Sequence, residues 1–306
     1  MIRIYKKLIK DDSLKILADF EPNSWVHIVG PSEGELEVIS EKFSIDIGLL
    51  RDAVDFYELP RIEVENSNTF IYTQFPYNEG NNVVTVPVLF VIGKNFFITV
   101  SDKEFPGIKR FTDEKVDFYT TQKTKLFLLL FSQINATYNA FLLRIIRQIK
   151  SSRIKLEKIT NRDVLQLVAF EEILNNFLSI LVPTNSVLKS LLTGRFLRLF
   201  EEDEDLIEDL FLDSGQLIEQ CRSNLKNIVN IRDAYSTIMT NNLNSVIKLL
   251  TSLTVILMVP NIISGLYGMN VTLPFSQSPI AFITLTLSIV ILSAIVFILF
   301  LANRFF

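Results

Sequence analysis

Few residues in this chain could do chemistry, and their spacing narrows what that chemistry is. Asp209 and Asp213 stand one helical turn apart in the acidic run that begins Glu201-Glu202-Asp203-Glu204-Asp205. Two carboxylates so placed suit oxygen ligation of a hard divalent cation. A solvated acidic helix N-terminus, which the macrodipole favours, suits the same spacing. Further on, Asn244, Thr251, Met258 and Asn261 fall 7, 7 and 3 positions apart, roughly on one helix face. In an otherwise apolar stretch such a stripe faces either a packed neighbouring helix or water. Tyr267-Gly268-Met269-Asn270 closes that stretch.

The remaining reactive residues exclude more than they offer. One Cys (Cys221) and one His (His27) rule out an internal disulfide and any site built from several Cys or His. His27 lies in the alternating Trp25-Val26-His27-Ile28 and is expected as a half-exposed strand residue, and Cys221 as an ordinary surface or interface thiol. Gly93-Lys94-Asn95 lacks the second glycine and the hydroxyl of a phosphate loop. No nucleophile–base set is visible, so an enzyme is not expected and no cofactor is called for.

The elements that carry these residues follow from charge. Residues 249–303 form a run of 55 positions without a charged side chain, whereas residues 1–245 hold 28 basic and 34 acidic ones, net −6. That net charge excludes a strongly basic nucleic-acid-binding domain. The apolar tail divides into two stretches, 245–266 and 280–302, each long enough to cross a hydrocarbon core of about 30 Å. Between them, 267–279 is rich in turn formers and uncharged, so a helical hairpin in a bilayer is expected. Lys248 precedes most of the first stretch and Arg304 follows the second, and the positive-inside tendency puts both termini in the cytoplasm of a cell-membrane protein. The N-terminus meets Asp11 and Asp12 before any long apolar run and reads as neither a secretory signal nor a transit peptide.

Upstream, residues 1–118 mix short strands with short helices and predict an α+β domain, a mixed sheet with flanking helices. Phe70-Ile71-Tyr72-Thr73-Gln74-Phe75, residues 83–92 and residues 96–101 read as strands, with Pro87 suggesting an edge or bulge. Ser32-Glu33-Gly34-Glu35 opens a helix with capping-box spacing. Residues 119–244 turn to long helices: about 121–159, about 162–193 with a kink expected at Pro183, and a third from near Glu201. From 216 to 259 there is neither Gly nor Pro, about 66 Å of helix that needs partners along its length.

Residues 260–270, Pro-Asn-Ile-Ile-Ser-Gly-Leu-Tyr-Gly-Met-Asn, at the end of a penultimate span, resemble the CorA family of divalent-cation channels. The layout of nearly the whole chain fits that family too. The resemblance implies a homopentamer in the lipid bilayer, with five copies of 245–266 lining a pore, 280–302 outside them, and a short tail, 303–306. It implies that Tyr267, Gly268, Met269 and Asn270 shape the outer mouth, where five Asn270 amides hold hydrated Mg2+. By its distance before Gly-Met-Asn, Asn244 matches the family's inner pore asparagine; the resemblance also implies that Asp209 matches its regulatory stalk carboxylate and Asp233 an acid lower on the pore helix. Mg2+ is thus implied as substrate and as regulatory ligand, the latter at Asp209 and Asp213, with Co2+ or Ni2+ as further cargo. Departures are the absence of an acid in the outer loop, Asn261 in place of a usual threonine, a C-terminal basic cluster reduced to Arg304, and a basic helix bearing Arg144, Arg147, Lys150, Arg153, Lys155 and Lys158. A zinc-transporting member of the family and a non-conducting membrane-anchored sensor or structural protein are the alternatives.

Overall fold

The computed structural model describes residues 1–80, 82–105, 107–154, 160–271, 274 and 278–302. Lys155, Lys158, Arg304, residues 272–273 and 275–277 of the outer loop and the tail 303–306 lie outside the described residues. The chain forms two compact units, Met1–Asn230 and Ile231–Phe306. No unit boundary falls near residue 118, because the long helices that follow it pack on the sheet.

Seven strands build one mixed sheet: β1 (Ile2–Lys6), β2 (Lys15–Leu17), β3 (Ser24–Val29), β4 (Arg61–Glu65), β5 (Asn68–Glu79), β6 (Asn82–Ile92) and β7 (Phe96–Ser101). Their order is β2-β1-β3-β7-β6-β5-β4. Among the described strands only β3 and β7 run parallel, with Val26 opposite Ile98. β6 pairs with β7 from Val88 onward, so Pro87 sits just where that flank of β6 opens. A residue without an N–H is tolerated there.

Alternation along the strands sends side chains to both faces, and both are covered. On one face Val26, Ile28, Tyr72, Leu89, Ile98 and Val100 pack with Leu36, Ile39 and Phe43 of α1 (Glu33–Phe43) and Leu50 of α2 (Ile47–Asp52). The expected capping box starts α1: the Glu35 amide donates to Ser32 Oγ, and the Ser32 amide to Glu35 Oε2 at 2.9 Å. The other face carries Trp25, His27, Phe75, Phe90 and Thr99, covered by α3 (Ile108–Thr112), α4 (Lys123–Ile154) and α5 (Asn161–Leu191). Phe90 meets Phe127 of α4 with ring centroids 5.1 Å apart, and Thr73 Oγ1 shares a 3.0 Å hydrogen bond with Thr184 of α5. Pro183 lies inside α5, which runs on to Leu191.

This second cover corrects the expectation for His27. It is 2% exposed, because β3 is buried on both faces rather than one. Its Nδ1 lies 2.8 Å from Thr99 Oγ1, which also accepts from Trp25 Nε1 at 3.0 Å. Among the described residues His27 Nε2 has no hydrogen-bond partner. Burial, aided by the charges of Arg3 and the N-terminal amine, pushes the imidazole down to about 4.

The third long helix is α6 (Glu201–Tyr267), followed by α7 (Ala281–Ala302). Four acidic residues in the first turn of α6 complement its dipole, and Lys125 of α4 donates to Glu202 at 2.8 Å. Within the first unit α6 buries Ile207, Ser214, Cys221 and Ile228, and between them Leu210, Leu217 and Asn224. Both series repeat every seven residues, the seam of a helix packed lengthwise on a partner. Cys221 is therefore not a surface thiol. It is fully buried on that seam, and burial pushes its thiol up to about 12.

Candidate functional site

In the second unit α6 changes character. Leu243, Val246, Ile247, Leu249, Leu250, Leu253, Leu257 and Met258 are all exposed in the single chain, as are Ile283, Leu287, Val290, Ile295 and Leu299 of α7. Surface this apolar and this extensive needs lipid or other helices to cover it. By length and composition α6 and α7 can cross a membrane, and α4 and α5 also meet that test. The latter two are the helices that pack on the sheet of the first unit.

Asn244, Thr251, Met258 and Asn261 fall within an arc of about 100° on α6. All four are exposed in the single chain. Hydrogen bonding separates the stripe from its neighbours. Ser245, Ser252 and Thr254 turn their hydroxyls back onto the carbonyls of Asn241, Lys248 and Leu250, at 3.0, 2.8 and 2.8 Å. Such hydroxyls are satisfied inside an apolar environment. Among the described residues the side chains of Asn244, Thr251 and Asn261 make no hydrogen bond within the chain. Three polar side chains are left free to bind water, a partner or an ion. Pro260, inside the helix, also has no N–H to give the Ile256 carbonyl.

The end of α6 is tied off by backbone. The Gly268 amide donates to the Ser264 carbonyl at 2.9 Å and the Met269 amide to the Leu266 carbonyl at 3.3 Å. Tyr267 donates its hydroxyl to the Pro274 carbonyl at 3.3 Å. Met269 and Asn270 follow, both exposed.

Asp209 and Asp213 are exposed on the first unit's part of α6, and among the described residues no three His, Cys, Asp or Glu side chains gather into a metal site. Asp213 lines a groove of about 330 Å3 between α4 and α6, together with Ser132, Asn135, Asn139, Gln216 and Gln220. Asp209 does not line it. Asp233 is exposed as well. Asn135 escaped the sequence reading, because an isolated asparagine in a long amphipathic helix carries no spacing signal.

A family model described as "CorA-like Mg2+ transporter protein" matches residues 21–302. The chain is 26% identical over 287 residues to a Cobalt/magnesium transport protein CorA of Methanocaldococcus jannaschii, covering 90% of this chain and 89% of that one. Among solved structures, the complete CorA magnesium transporter of the same organism aligns with TM-score 0.88 at 22% identity, over 98% of this chain and 97% of that one. The soluble domain of that protein aligns with TM-score 0.70 at 19% identity, over 78% of this chain and 97% of that one.

Proposed function

The chain belongs to the CorA family, whose activity is divalent-cation transport rather than catalysis, and from that premise we propose that it conducts Mg2+ passively through a homopentameric channel in the cell membrane. The observation that carries this reading is the stripe of unbonded polar side chains, Asn244, Thr251 and Asn261, leading along α6 to Gly268-Met269-Asn270. Five copies of α6 turned inward would line a pore with neutral oxygens. Mg2+ gives up its waters reluctantly, so amide and hydroxyl oxygens that hold the hydration shell suit it better than a carboxylate cage. Five Asn270 amides form the outer binding ring in this arrangement.

Two membrane helices per protomer, α6 from about 245 and α7, put both termini in the cytoplasm, with Lys248 and Arg304 on the inner side. α4 and α5 belong to the cytoplasmic part, where the sheet covers them. Nothing beyond the membrane potential is required to drive uptake. A divalent ion moving inward gains about 4.6 kcal/mol per 100 mV of inside-negative potential. Cytoplasmic Mg2+ bound between protomers at Asp209 closes the channel.

The test is uptake by liposomes holding only the purified protein, offered Mg2+, Co2+, Ni2+ or Zn2+ separately. Mg2+ flux with Co2+ and Ni2+ also admitted is expected. Flux of Zn2+ alone would make the chain a zinc-transporting member, and no flux of any ion a non-conducting sensor.

A further inference from the structure

We propose that Lys226 forms a ring of five positive charges around the axis of the pentamer, and that this ring slows Mg2+ on its way into the cytoplasm. The inference rests on the pentameric channel reading. Its ground is the way α6 divides its faces within the first unit. Cys221, Asn224 and Ile228 are buried on the seam against the rest of the protomer. At about 100° per residue, Lys226 lies about 140° from Cys221 and about 160° from each of the other two. It therefore stands at the middle of the face that the protomer's own helices leave open, and it is exposed. In a pentamer with α6 innermost, that face turns to the axis. Lys226 precedes Asn244 by 18 residues on this one helix, and 18 residues make five turns, so the two share a helix face.

Nothing within the chain neutralises this charge. The nearest carboxylate on the same face, Glu219, is taken by Arg222, whose guanidinium donates to it at 2.7 Å. Among the described residues Lys226 itself makes no ion pair. On a lone chain such a lysine is only a solvated surface group. Around a shared axis it is repeated five times, and an ammonium, which has donors and no acceptor, repels a cation without offering it a ligand. Asp233 is the next charge on this face, seven residues towards the membrane and about 10.5 Å along the helix. At physiological ionic strength the screening length is about 8 Å, so the two rings act on a passing ion one after the other. An incoming Mg2+ meets carboxylates first and ammonium groups second, and its release past Lys226 is the slowed step.

Two measurements on the full-length purified protein test it. The first is Mg2+ entry into vesicles at about 0.01 M and about 1 M monovalent salt, where the screening length is about 30 Å and about 3 Å. At low salt Lys226→Gln is expected to raise entry at least threefold and Lys226→Glu further, while Lys226→Arg stays within about 1.5-fold of the wild type. At high salt the gain in Lys226→Gln is expected to shrink below about 1.5-fold. Entry through Lys226→Gln equal to the wild type at low salt, or an equal gain in Lys226→Arg, overturns the slowing. The second is cross-linking of Lys226→Cys with a short bismaleimide, which needs no flux. Cys221 is buried on the seam, so the introduced thiol is the accessible one. Chain-to-chain products up to the pentamer are expected, and a product that stays monomeric overturns the ring. Wild-type protein that passes no ion, with Lys226→Cys still cross-linking, undoes the transport reading and the slowing together and leaves the ring standing.

Discussion

Gly268 and Ser264 are joined at the outer end of α6 by a 2.9 Å bond from the Gly268 amide to the Ser264 carbonyl. A Cβ built on Gly268 would lie 3.2 Å from that same carbonyl oxygen, and backbone cannot swing aside as a flexible side chain can. The glycine thus suits the closeness of the last helical turn. Gly268→Ala forces the turn to open by a few tenths of an ångström and shifts Met269 and Asn270 with it. Mg2+ uptake is expected to fall at least tenfold while the oligomer survives size-exclusion chromatography. Full uptake would mean that the position of Asn270 does not matter to flux.

Hydrogen bonding along α6 predicts which polar residues the proposed pore uses. Thr254 is bonded to the Leu250 carbonyl, whereas Asn244 has no bond of its own. Asn244→Leu is expected to dry the inner pore and lower single-channel Mg2+ conductance at least tenfold. Thr254→Val is expected to stay within about twofold. Equal effects at the two positions would place Asn244 against a neighbouring helix.

Gating follows from Asp209 in the proposed pentamer. Five carboxylates around the axis repel, and bound Mg2+ offsets that repulsion by favouring the closed assembly. Asp209→Ala removes ligand and repulsion together, so conduction is expected to persist with weaker inhibition by internal Mg2+. Protease protection of α6, measured with and without Mg2+, should differ in the wild type. Equal protection would exclude this route.

A fourth expectation concerns pH. His27 titrates near 4 when folded and near 6.5 when unfolded, so both states are neutral above pH 6.5. Between pH 6.5 and 4 the unfolded chain takes up a proton that the folded chain refuses. Stability therefore falls with falling pH across that window, by about 3 kcal/mol in all, at about 1.4 kcal/mol per pH unit. Trp25, the chain's one tryptophan, stands beside His27 and reports unfolding of this sheet through its emission. His27→Asn is expected to flatten the loss in melting temperature between pH 7 and 5. An unchanged slope would assign it to other groups.

Much of the first unit was legible because local rules decide it. The strands over 70–75, 83–92 and 96–101, the Ser32 capping box and the start of α6 at Glu201 all depend on neighbours in sequence. His27 and Cys221 were misplaced because their burial depends on distant elements. Helices from beyond residue 107 cover the β3 face that His27 occupies. Cys221 lies on a seven-residue seam whose other members include Ser214 and Asn224, and polar residues there mask the apolar period. The groove at Asp213 was half legible. The carboxylate has a spacing signal, but Asn135 joins it only through the packing of α4 on α6.

The central claim is tested most directly by Mg2+ entry into sealed vesicles that contain only the purified chain, with a potassium-diffusion potential set inside-negative. The account predicts Mg2+ accumulation without ATP, increasing with the imposed potential, and none when Asn270→Ala protein of the same oligomeric state is used. Absence of Mg2+ entry into wild-type vesicles, or equal entry through Asn270→Ala, would contradict it.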